Sequence, residues 1–545
     1  MNVSSIRKII TFGVMIYIIT MSITPIMGGS SVDCIYQYPI QKYIFSKTYG
    51  ENLRTIIVPD DYPTIQQAIN HAIDGDTILV RAGTYAENIV VNKMVYIRGD
   101  GHDLTIIDGS GKDTTVKIER DGVEISGFCI RNAGSGNGGV YATSHYNNIS
   151  MNEIIDNGYG IKLEASNGNR ILDNWINNNQ GRGIWLDSSH MNEISGNNVS
   201  LNEEDGLMVD FTSTFNSLSS NIASENKLNG VLINDASRSN TLIGNKLTKN
   251  SIGVSCQGTS DNNIFHHNDF KENIQQNAFD SSNDIWSSDT LGKGNHWSDF
   301  DETEEGAYDM DNNGIIDTPY LIPGGDNSDP APLLCSVAPA PPLIKGPSEI
   351  RIDTEAEFHI YTPTPVYDEV YYQIYWGNGA YWETTDNLVD VTVGIDESHV
   401  WSMEVTFNVQ ARAFIEIEGV RIYSEASPTL PVKVPKESKP ICIQTNTIHH
   451  RLKEILNDNE IFTKRAKCND NPNQISFHKS VILRSISLNV VQSIIIMTKR
   501  SNYRGMPCET LQSILTMMGS QEKKYMPYNE NHATSNNIFF NDGNL

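Results

Sequence analysis

Residues 160–182 read GIKLEASNGNRILDNWINNNQGR, and residues 183–205 read GIWLDSSHMNEISGNNVSLNEED. Both stretches open with a glycine, continue with alternating apolar residues and carry asparagines at matching positions. The same unit recurs every 22–24 residues between about 139 and 273. Its opening glycines are Gly160, Gly183, Gly206, Gly230 and Gly253. A repeat of this length indicates one small structural unit that is stacked on itself many times.

Three series of asparagines keep step with the glycines. Two follow the pattern N-x-φ-x-x-N, in which φ is apolar, and the third asparagine comes five residues later, as in Asn169, Asn174 and Asn179. Apolar residues alternate within each copy, as in Ile161 and Leu163, which predicts strands rather than helices. Three short strands fill one turn of the coil. We expect the asparagines to adopt the left-handed conformation at its corners and to bond along the stack.

The region before the repeat predicts earlier coils and a cap. Thr64–Ile73 places its apolar residues on one face of a short helix, which suits a cover for the open end of a solenoid. The strands predicted in this region are Thr77–Val80, Met94–Arg98, Thr105–Ile107 and Val123–Ile130.

A family resemblance rests on these segments. Tyr62–Gln66 (YPTIQ), Ala82–Tyr85 (AGTY) and Ile97–Gly99 (IRG) resemble the opening of pectin-lyase-like β-helix proteins. The asparagine units resemble the carbohydrate-binding and sugar-hydrolase (CASH) repeats of NosD-type proteins, a family described as periplasmic copper-binding. Gly294–Asp299 (GNHWSD) is similar to the end of that domain in archaeal surface proteins. The resemblance implies an all-β fold, a right-handed parallel β-helix, over residues 55–334.

A second module is predicted after a proline-rich linker at 335–347. Residues 348–435 alternate as short strands and suggest a small β-sandwich. Tyr372–Gly379 (YQIYWGNG) and Ser398–Trp401 (SHVW) resemble immunoglobulin-like modules of the polycystic-kidney-disease (PKD) type. Residues 436–545 show no repeat, and we expect a poorly ordered tail there.

The N-terminus and the net charge limit where the protein works. Arg7 and Lys8 precede an apolar run from Ile9 to Met27, which predicts an export signal within residues 1–30. Two alternatives stay open, a cleaved signal peptide or an uncleaved anchor, and the anchor would be the only membrane attachment. A secreted or cell-surface protein is therefore predicted. A formal net charge of −26 argues against a nucleic-acid partner.

The phase of the repeat predicts which side chains face outward. Counting from each repeat glycine, the first and third residues are apolar and face inward, so the second and fourth face outward. Glu164, Asp187 and Asp210 then stack in three consecutive turns, beside Lys162 and Trp185. Carboxylates about 4.8 Å apart repel, so one is expected to be protonated or to share a cation. A glycosidase needs two carboxylates roughly 5–9 Å apart. The same pattern also fits a solvated acidic stripe.

A calcium loop is predicted at Asp309–Asp317 (DMDNNGIID). Oxygen donors from Asp309, Asp311, Asn313, Ile315 and Asp317 fall at alternate positions, with glycine at the sharp turn. The bidentate glutamate that ends a helical calcium hand is missing, because that position is a tyrosine. A polar turn without metal is the alternative.

Copper is not expected, despite the family description. Copper prefers clustered His, Met or Cys ligands, and only His266, His267 and His296 offer any. Adjacent strand residues point to opposite faces, so the first two are not expected to bind one ion. The seven cysteines never form C-x-x-C, which gives no zinc site or disulfide framework. Cys256 is interpreted as a small apolar strand residue.

Three functions remain open at this point. The first is a non-catalytic surface β-helix that binds a polysaccharide or cell-envelope glycan, or forms part of the envelope. The second is a polysaccharide lyase, hydrolase or epimerase, with Glu164, Asp187 and Asp210 as catalytic candidates. The third is a NosD-like copper accessory protein. The residues favour the first, and they match no motif that assigns a reaction.

Overall fold

The described part of the chain is a parallel β-helix followed by an antiparallel β-module. A computed structural model describes residues 53–363, 367–378, 382–385, 387–391 and 393–435. The predicted export segment 1–30 and the predicted tail 436–545 lie outside these ranges. Within them, no helix combines the length and apolar content needed to cross a bilayer. The predicted all-β fold class is confirmed.

Three parallel sheets of 10, 9 and 10 strands form the walls of the β-helix. Sheet I contains Thr55–Val58, Thr77–Val80, Tyr96–Gly99, Glu124–Ser126, Asn148–Ser150, Arg170–Leu172, Glu193–Ser195, Ser217–Ser219, Thr241–Ile243 and Ile264–His266. Sheet II contains Ile89–Val91, Val116–Ile118, Gly138–Ala142, Tyr159–Glu164, Ile184–Asp187, Leu207–Asp210, Asn229–Ile233, Ile252–Cys256 and Gln276–Asp280. Sheet III contains Gly83–Tyr85, Thr105–Asp108, Cys129–Arg131, Glu153–Ile155, Trp175–Asn177, Asn198–Ser200, Ile222–Ser224, Lys246–Thr248, Asp269–Lys271 and His296–Trp297.

A single short α-helix, α1 (Ile65–His71), lies at the N-terminal end of the described coil. Its Thr64 N-cap hydroxyl accepts a bond from Gln67 N at 3.2 Å, and the Glu87 carboxylate accepts bonds from Ile65 N and Gln66 N at 2.9 Å. These acceptors satisfy amide groups that the first turn of a helix leaves free. The apolar face of α1 is buried, as a cap requires.

The predicted strand Val123–Ile130 is two strands, which lie on sheets I and III. Gly127 separates them with a φ of 78° and turns the chain through the corner of the coil. The apolar run therefore continues across a corner of the coil. The alternation of apolar and polar residues alone does not locate that corner.

The repeat glycines are explained by close approach between coils. A Cβ atom on Gly206 would lie 2.7 Å from the carbonyl oxygen of Gly230, and one on Gly160 would lie 2.4 Å from that of Gly183. Real Cβ atoms do not approach backbone oxygens so closely. The opening position of each unit therefore admits only glycine without a shift of the neighbouring coil.

Three buried asparagine ladders join the coils. In each, the backbone N–H and the side-chain Nδ2 of one asparagine donate to Oδ1 of the asparagine one coil later. Asn174 and Asn197, for example, are joined through N···Oδ1 and Nδ2···Oδ1 distances of 3.0 Å. The expectation that the asparagines themselves adopt the left-handed conformation is wrong. That conformation belongs to the residue before each one, such as Asp173 at φ 55°, because the asparagine side chain must point inward.

All three ladders end on a carboxylate. Asn263 donates to Asp284, Asn295 donates to Asp329, and the third ladder passes through Asn277 to Asp299. The direction of the hydrogen bonds explains this ending, because the last rung must accept bonds and has no later rung to which it can donate. A carboxylate is an acceptor without a donor.

Aromatic rings and a short hairpin lie at the C-terminal end of the coil. Phe270 stacks on Trp297 with ring centroids 4.4 Å apart, and Trp297 stacks on Tyr320 at 4.1 Å. Tyr320–Leu321 pairs antiparallel with Ser328–Asp329, after a 3₁₀ helix at Thr303–Glu305. The last coil is thereby covered by side chains rather than left as an open apolar end.

The second module has two antiparallel sheets around its own core. One sheet contains Leu343–Lys345, Glu355–Tyr361 and Ile395–Val400. The other contains Glu369–Tyr375, Glu383–Thr384, Val389–Asp390, Thr406–Ile417, Val420–Tyr423 and Leu430–Lys433. Trp376 and Trp401 are buried in this core. Arg412 of this module contacts the β-helix through a 2.6 Å ion pair with Asp173.

Candidate functional site

The outward side of sheet II carries the residues that the repeat phase selects. Strand register pairs Lys162 with Trp185 and Glu164 with Asp187, and the next coil pairs Asp187 with Asp210. We call these five residues the acidic face. Regular alternation explains their common side, because each lies one residue away from an inward apolar neighbour.

Lys162 joins the first two carboxylates of the acidic face. Its Nζ atom lies 3.0 Å from Glu164 Oε2 and 3.1 Å from Asp187 Oδ2. Its side chain is only 12% exposed, so the ammonium group is held between the carboxylates rather than in open water. The repulsion expected between stacked carboxylates is therefore relieved by a side chain of the protein at this pair.

A tyrosine that the sequence interpretation missed completes this network. The hydroxyl of Tyr141 donates to Glu164 Oε2 at 2.7 Å. Tyr141 pairs with Lys162 one coil earlier. Gly139-Val140-Tyr141 is an earlier copy of the repeat opening, so extending the glycine series by one unit would have found it.

The network keeps Glu164 ionised. The hydrogen bond from Tyr141 and then that from Lys162 lower the pKa of Glu164. Burial alone would lower the pKa of Lys162, but its hydrogen bonds to Glu164 and Asp187 raise it. The exposed part of the face is therefore a zwitterionic cluster with one excess negative charge, suited to hydrogen bonding with hydroxyl groups.

Asp210 differs from the other two carboxylates. It is 3% exposed, and burial, followed by the nearby Asp235 and Asp187, raises its pKa. The pKa values of Glu164 and Asp210 are therefore shifted in opposite directions, as they are in many acid–base pairs. However, a group this buried does not reach a sugar lying on the surface.

Trp185 is half-buried and lies beneath two cations. Lys162 Nζ is 3.9 Å from the centroid of its ring, and the guanidinium carbon of Arg182 is 4.8 Å away. Its indole Nε1 is buried without a hydrogen-bond partner. A sugar that stacks on this ring has to share it with these cations.

The predicted calcium loop forms a compact turn. Gly314 has a φ of 81°, and the Asp309 carboxylate accepts bonds from Asn313 N at 3.1 Å and Gly314 N at 2.9 Å. Asp317 accepts from Met310 N at 2.8 Å. The carboxylates bond to their own loop, and in the described part of the chain Asp309, Asp311 and Asp317 are not gathered within ligand distance of one another. Ile315 instead pairs with Leu333. Calcium binding stays a prediction.

The histidine pair corrects one expectation. His267 leaves the strand with a φ of 58°, so its ring does not point away from that of His266. The two Nδ1 atoms are 2.8 Å apart and both rings are buried. Burial lowers the pKa of both groups, that of His267 to about 4. His296 is engaged separately, with Nδ1 2.6 Å from Asp269.

The donor set around this pair does not fit a copper ion. Among the described residues, no group of three His, Cys, Asp or Glu side chains that includes either histidine brings its ligand atoms together. Two imidazoles without a third His, Cys, Asp or Glu ligand give fewer donors than a His2Cys copper site contains.

Comparison with known proteins gives one family match. Residues 69–302 match the family model of the periplasmic copper-binding protein NosD. The resemblance predicted from the asparagine repeats is confirmed. The matched segment contains α1 in part, most of the coils and the whole acidic face. A search of curated proteins finds no match to the chain.

Several solved structures are similar to parts of the chain. The A-module of the Azotobacter vinelandii mannuronan C-5 epimerase AlgE6 is 18% identical, with a TM-score of 0.34, over 43% of this chain and 70% of that one. Pectate lyase Pel9A is 14% identical, with a TM-score of 0.28, over 45% and 75%. The PKD domain of an M14-like peptidase from Thermoplasmatales archaeon SCGC AB-540-F20 is 28% identical, with a TM-score of 0.14, over 18% and 96%.

Proposed function

We propose that the protein is an exported, non-catalytic β-helix that binds a neutral polysaccharide of the cell envelope through the acidic face. The observation that carries this proposal is the hydrogen-bonded series Tyr141–Glu164–Lys162–Asp187 beside Trp185. Such a surface offers acceptors and donors for sugar hydroxyls next to an aromatic ring, which is the usual composition of a carbohydrate-binding surface.

The charge of the face selects the class of glycan. Glu164 and Asp187 outnumber Lys162, and both sides of Lys162 are already occupied by carboxylates. A uronate polymer would bring further negative charge to this face, where Lys162 and the neighbouring Arg182 are both already paired with carboxylates. A neutral or N-acetylated polysaccharide meets no such repulsion, and an envelope polymer of this kind suits a protein predicted to be exported.

A polysaccharide-active enzyme is the second candidate. The opposite pKa shifts of Glu164 and Asp210 favour it, because an acid–base pair needs one ionised and one protonated group. The burial of Asp210 argues against it, since the protonated group must reach the glycosidic oxygen. Binding without turnover is therefore the better supported reading.

Affinity electrophoresis with neutral and uronate polysaccharides tests the proposal. We expect retardation by a neutral polymer, and Trp185→Ala should weaken binding about fivefold, since an aromatic contact is worth roughly 1 kcal/mol. The matched control is Glu193→Gln, an exposed carboxylate on sheet I that pairs with Arg170 at 2.9 Å. Equal retardation of all three proteins would show that the acidic face is not the binding surface.

Assays for reducing ends and for unsaturated sugars separate the two candidates. Turnover that Asp187→Asn abolishes would replace the binding proposal with a catalytic one. If neither neutral nor uronate polysaccharides retard the protein, an envelope-structural role describes it better.

A further inference from the structure

An apolar column inside the β-helix ends in a cysteine and an aspartate. The inward residue at the third position after each repeat glycine is Leu163, Leu186, Val209 and Ile233 in four successive coils, joined by strand register. The next two members of the column are Cys256 and Asp280. Both are fully buried. A carboxylate at a core position needs a compensating partner.

A second carboxylate approaches from the neighbouring asparagine ladder. Asp284 occupies the rung after Asn263, and its Oδ1 accepts from Asn263 N at 2.7 Å and Nδ2 at 3.1 Å. Every earlier rung of this ladder is an asparagine, which has an amide donor where Asp284 has its second oxygen. That Oδ2 atom is buried and has no hydrogen-bond partner, and the residue is only 9% exposed.

The three side chains converge on one point. Cys256 Sγ and one oxygen each from Asp280 and Asp284 all lie within 4.8 Å of one another, and among the described residues this is the single group of its kind. No Lys, Arg or His of the described residues forms an ion pair with either carboxylate. The cluster therefore lacks positive charge.

We propose that Cys256, Asp280 and Asp284 form a binding site for a zinc-type divalent cation. Zinc accepts thiolate and carboxylate ligands together in a tetrahedral arrangement, and three protein ligands leave its fourth position to water, as in zinc sites of the open type. The sulfur disfavours calcium and magnesium, which take oxygen ligands, and the two carboxylates disfavour the soft sites that select copper(I). Binding displaces the thiol proton, as thiolate ligation of metals requires.

Other contacts hold Asp280 in place for this role. Its Oδ2 accepts from Trp286 Nε1 at 2.9 Å and from Asn327 Nδ2 at 2.8 Å, while Oδ1 accepts from Ser282 N at 2.8 Å. Both lone-pair sites of Oδ2 are thereby filled, while Oδ1 accepts one bond and keeps one site free for a metal ion. Outer contacts of this kind orient metal ligands. The ion would join the last two strands of sheet II to the segment that follows them, and so fix the C-terminal end of the coil.

Metal titration of the purified full-length chain tests the site. After treatment with a chelator, we expect uptake of one Zn²⁺ per chain, and Co²⁺ should give a thiolate-to-cobalt charge-transfer band in the near ultraviolet. Zn²⁺ should also raise the unfolding temperature in proportion to the logarithm of its concentration above Kd.

Two variants remove one ligand each while keeping the native pattern of the coil. Cys256→Val restores the apolar column, and Asp284→Asn restores the asparagine rung, so both are expected to fold. The cobalt band should disappear in the first, and Zn²⁺ affinity should fall by more than the roughly 10–100-fold typical of an outer contact in the second. The control is Cys129→Ser, a buried cysteine of sheet III outside the cluster, which should bind as the wild type does.

Three outcomes would overturn the proposal. These are no Zn²⁺ uptake at equimolar concentrations, a cobalt–thiolate band that persists in Cys256→Val, and unchanged Zn²⁺ affinity in Asp284→Asn. The metal-binding cluster lies apart from the acidic face. The metal titration can therefore be interpreted whether or not the protein binds a glycan.

Discussion

The asparagine ladders make a quantitative prediction at Asn197→Ala. The Asn197 side chain donates from Nδ2 to Ile171 O at 2.8 Å and to Asn221 Oδ1 at 2.9 Å. Its Oδ1 accepts from both the backbone N–H and the Nδ2 of Asn174 at 3.0 Å. Asn197 is 1% exposed, so no bulk water replaces these bonds.

The expected loss follows from the groups left without partners. The substitution deprives at least two buried groups, the Asn174 N–H and the Ile171 carbonyl, of the bonds described above. At about 1–3 kcal/mol for each unsatisfied group, the free energy of unfolding should fall by about 4 kcal/mol. That is a large fraction of the 5–15 kcal/mol typical of a folded domain.

Equilibrium unfolding in denaturant, followed by circular dichroism, measures this loss. Asn92→Ala is the control, because Asn92 is exposed on the same β-helix and should change stability by no more than about 0.5 kcal/mol. Asn197→Asp is the discriminating variant. It keeps the acceptor oxygen but replaces the donor that faces Ile171 O, so it should also destabilise at neutral pH. A loss below about 1 kcal/mol in Asn197→Ala would refute the reasoning.

Three further predictions concern other parts of the fold. Burial raises the pKa of Asp329 to about 6 from 3.8, so its stabilising contribution is complete below about pH 4 and is lost as the pH rises through 6. Between pH 4 and 8 the wild type should therefore lose about 3 kcal/mol relative to Asp329→Asn in pH-dependent unfolding, and parallel pH profiles would contradict this. Gly206→Ala should cost about 1–3 kcal/mol in the same assay, because the new Cβ meets the Gly230 carbonyl oxygen at 2.7 Å. If the loop at 309–317 binds Ca²⁺, calorimetric titration should show binding that Asp317→Asn weakens, and absence of heat in the wild type would leave a polar turn.

The coil was predictable because its physics repeats. The period of the glycines, the alternation of residues such as Ile161 and Leu163, and the spacing of the asparagines all report the same geometry in every copy. Inward and outward positions on sheet II followed from phase alone, and the register pairs Glu164 with Asp187 as that phase requires. Local features were less accessible, since the corner at Gly127 interrupts a run whose apolar pattern is continuous.

The candidate sites show where a repeat pattern stops being informative. Alternation fixes the side of the sheet on which Lys162 lies, but not that its ammonium group reaches two carboxylates. Regular strand geometry misplaced the ring of His267, because a single left-handed residue ends the strand. Cys256 was interpreted as a small apolar residue from its own neighbours. Comparison with the other members of the inward column shows that Asp280 follows Cys256 there, and that the column stops being apolar at this point.

The hydrogen-bond direction in the asparagine ladders gives the coil a polarity, and with it a tolerance for changes in length. Any unit placed between two rungs receives a donor from the coil before it and offers one to the coil after it. Only the final rung, where Asp284, Asp299 and Asp329 lie, needs a different residue. Duplication or loss of a whole repeat within the coil would therefore change the molecule in steps of roughly 4.8 Å without the need for a new ending. The length of such a scaffold can therefore change through duplication of an existing repeat.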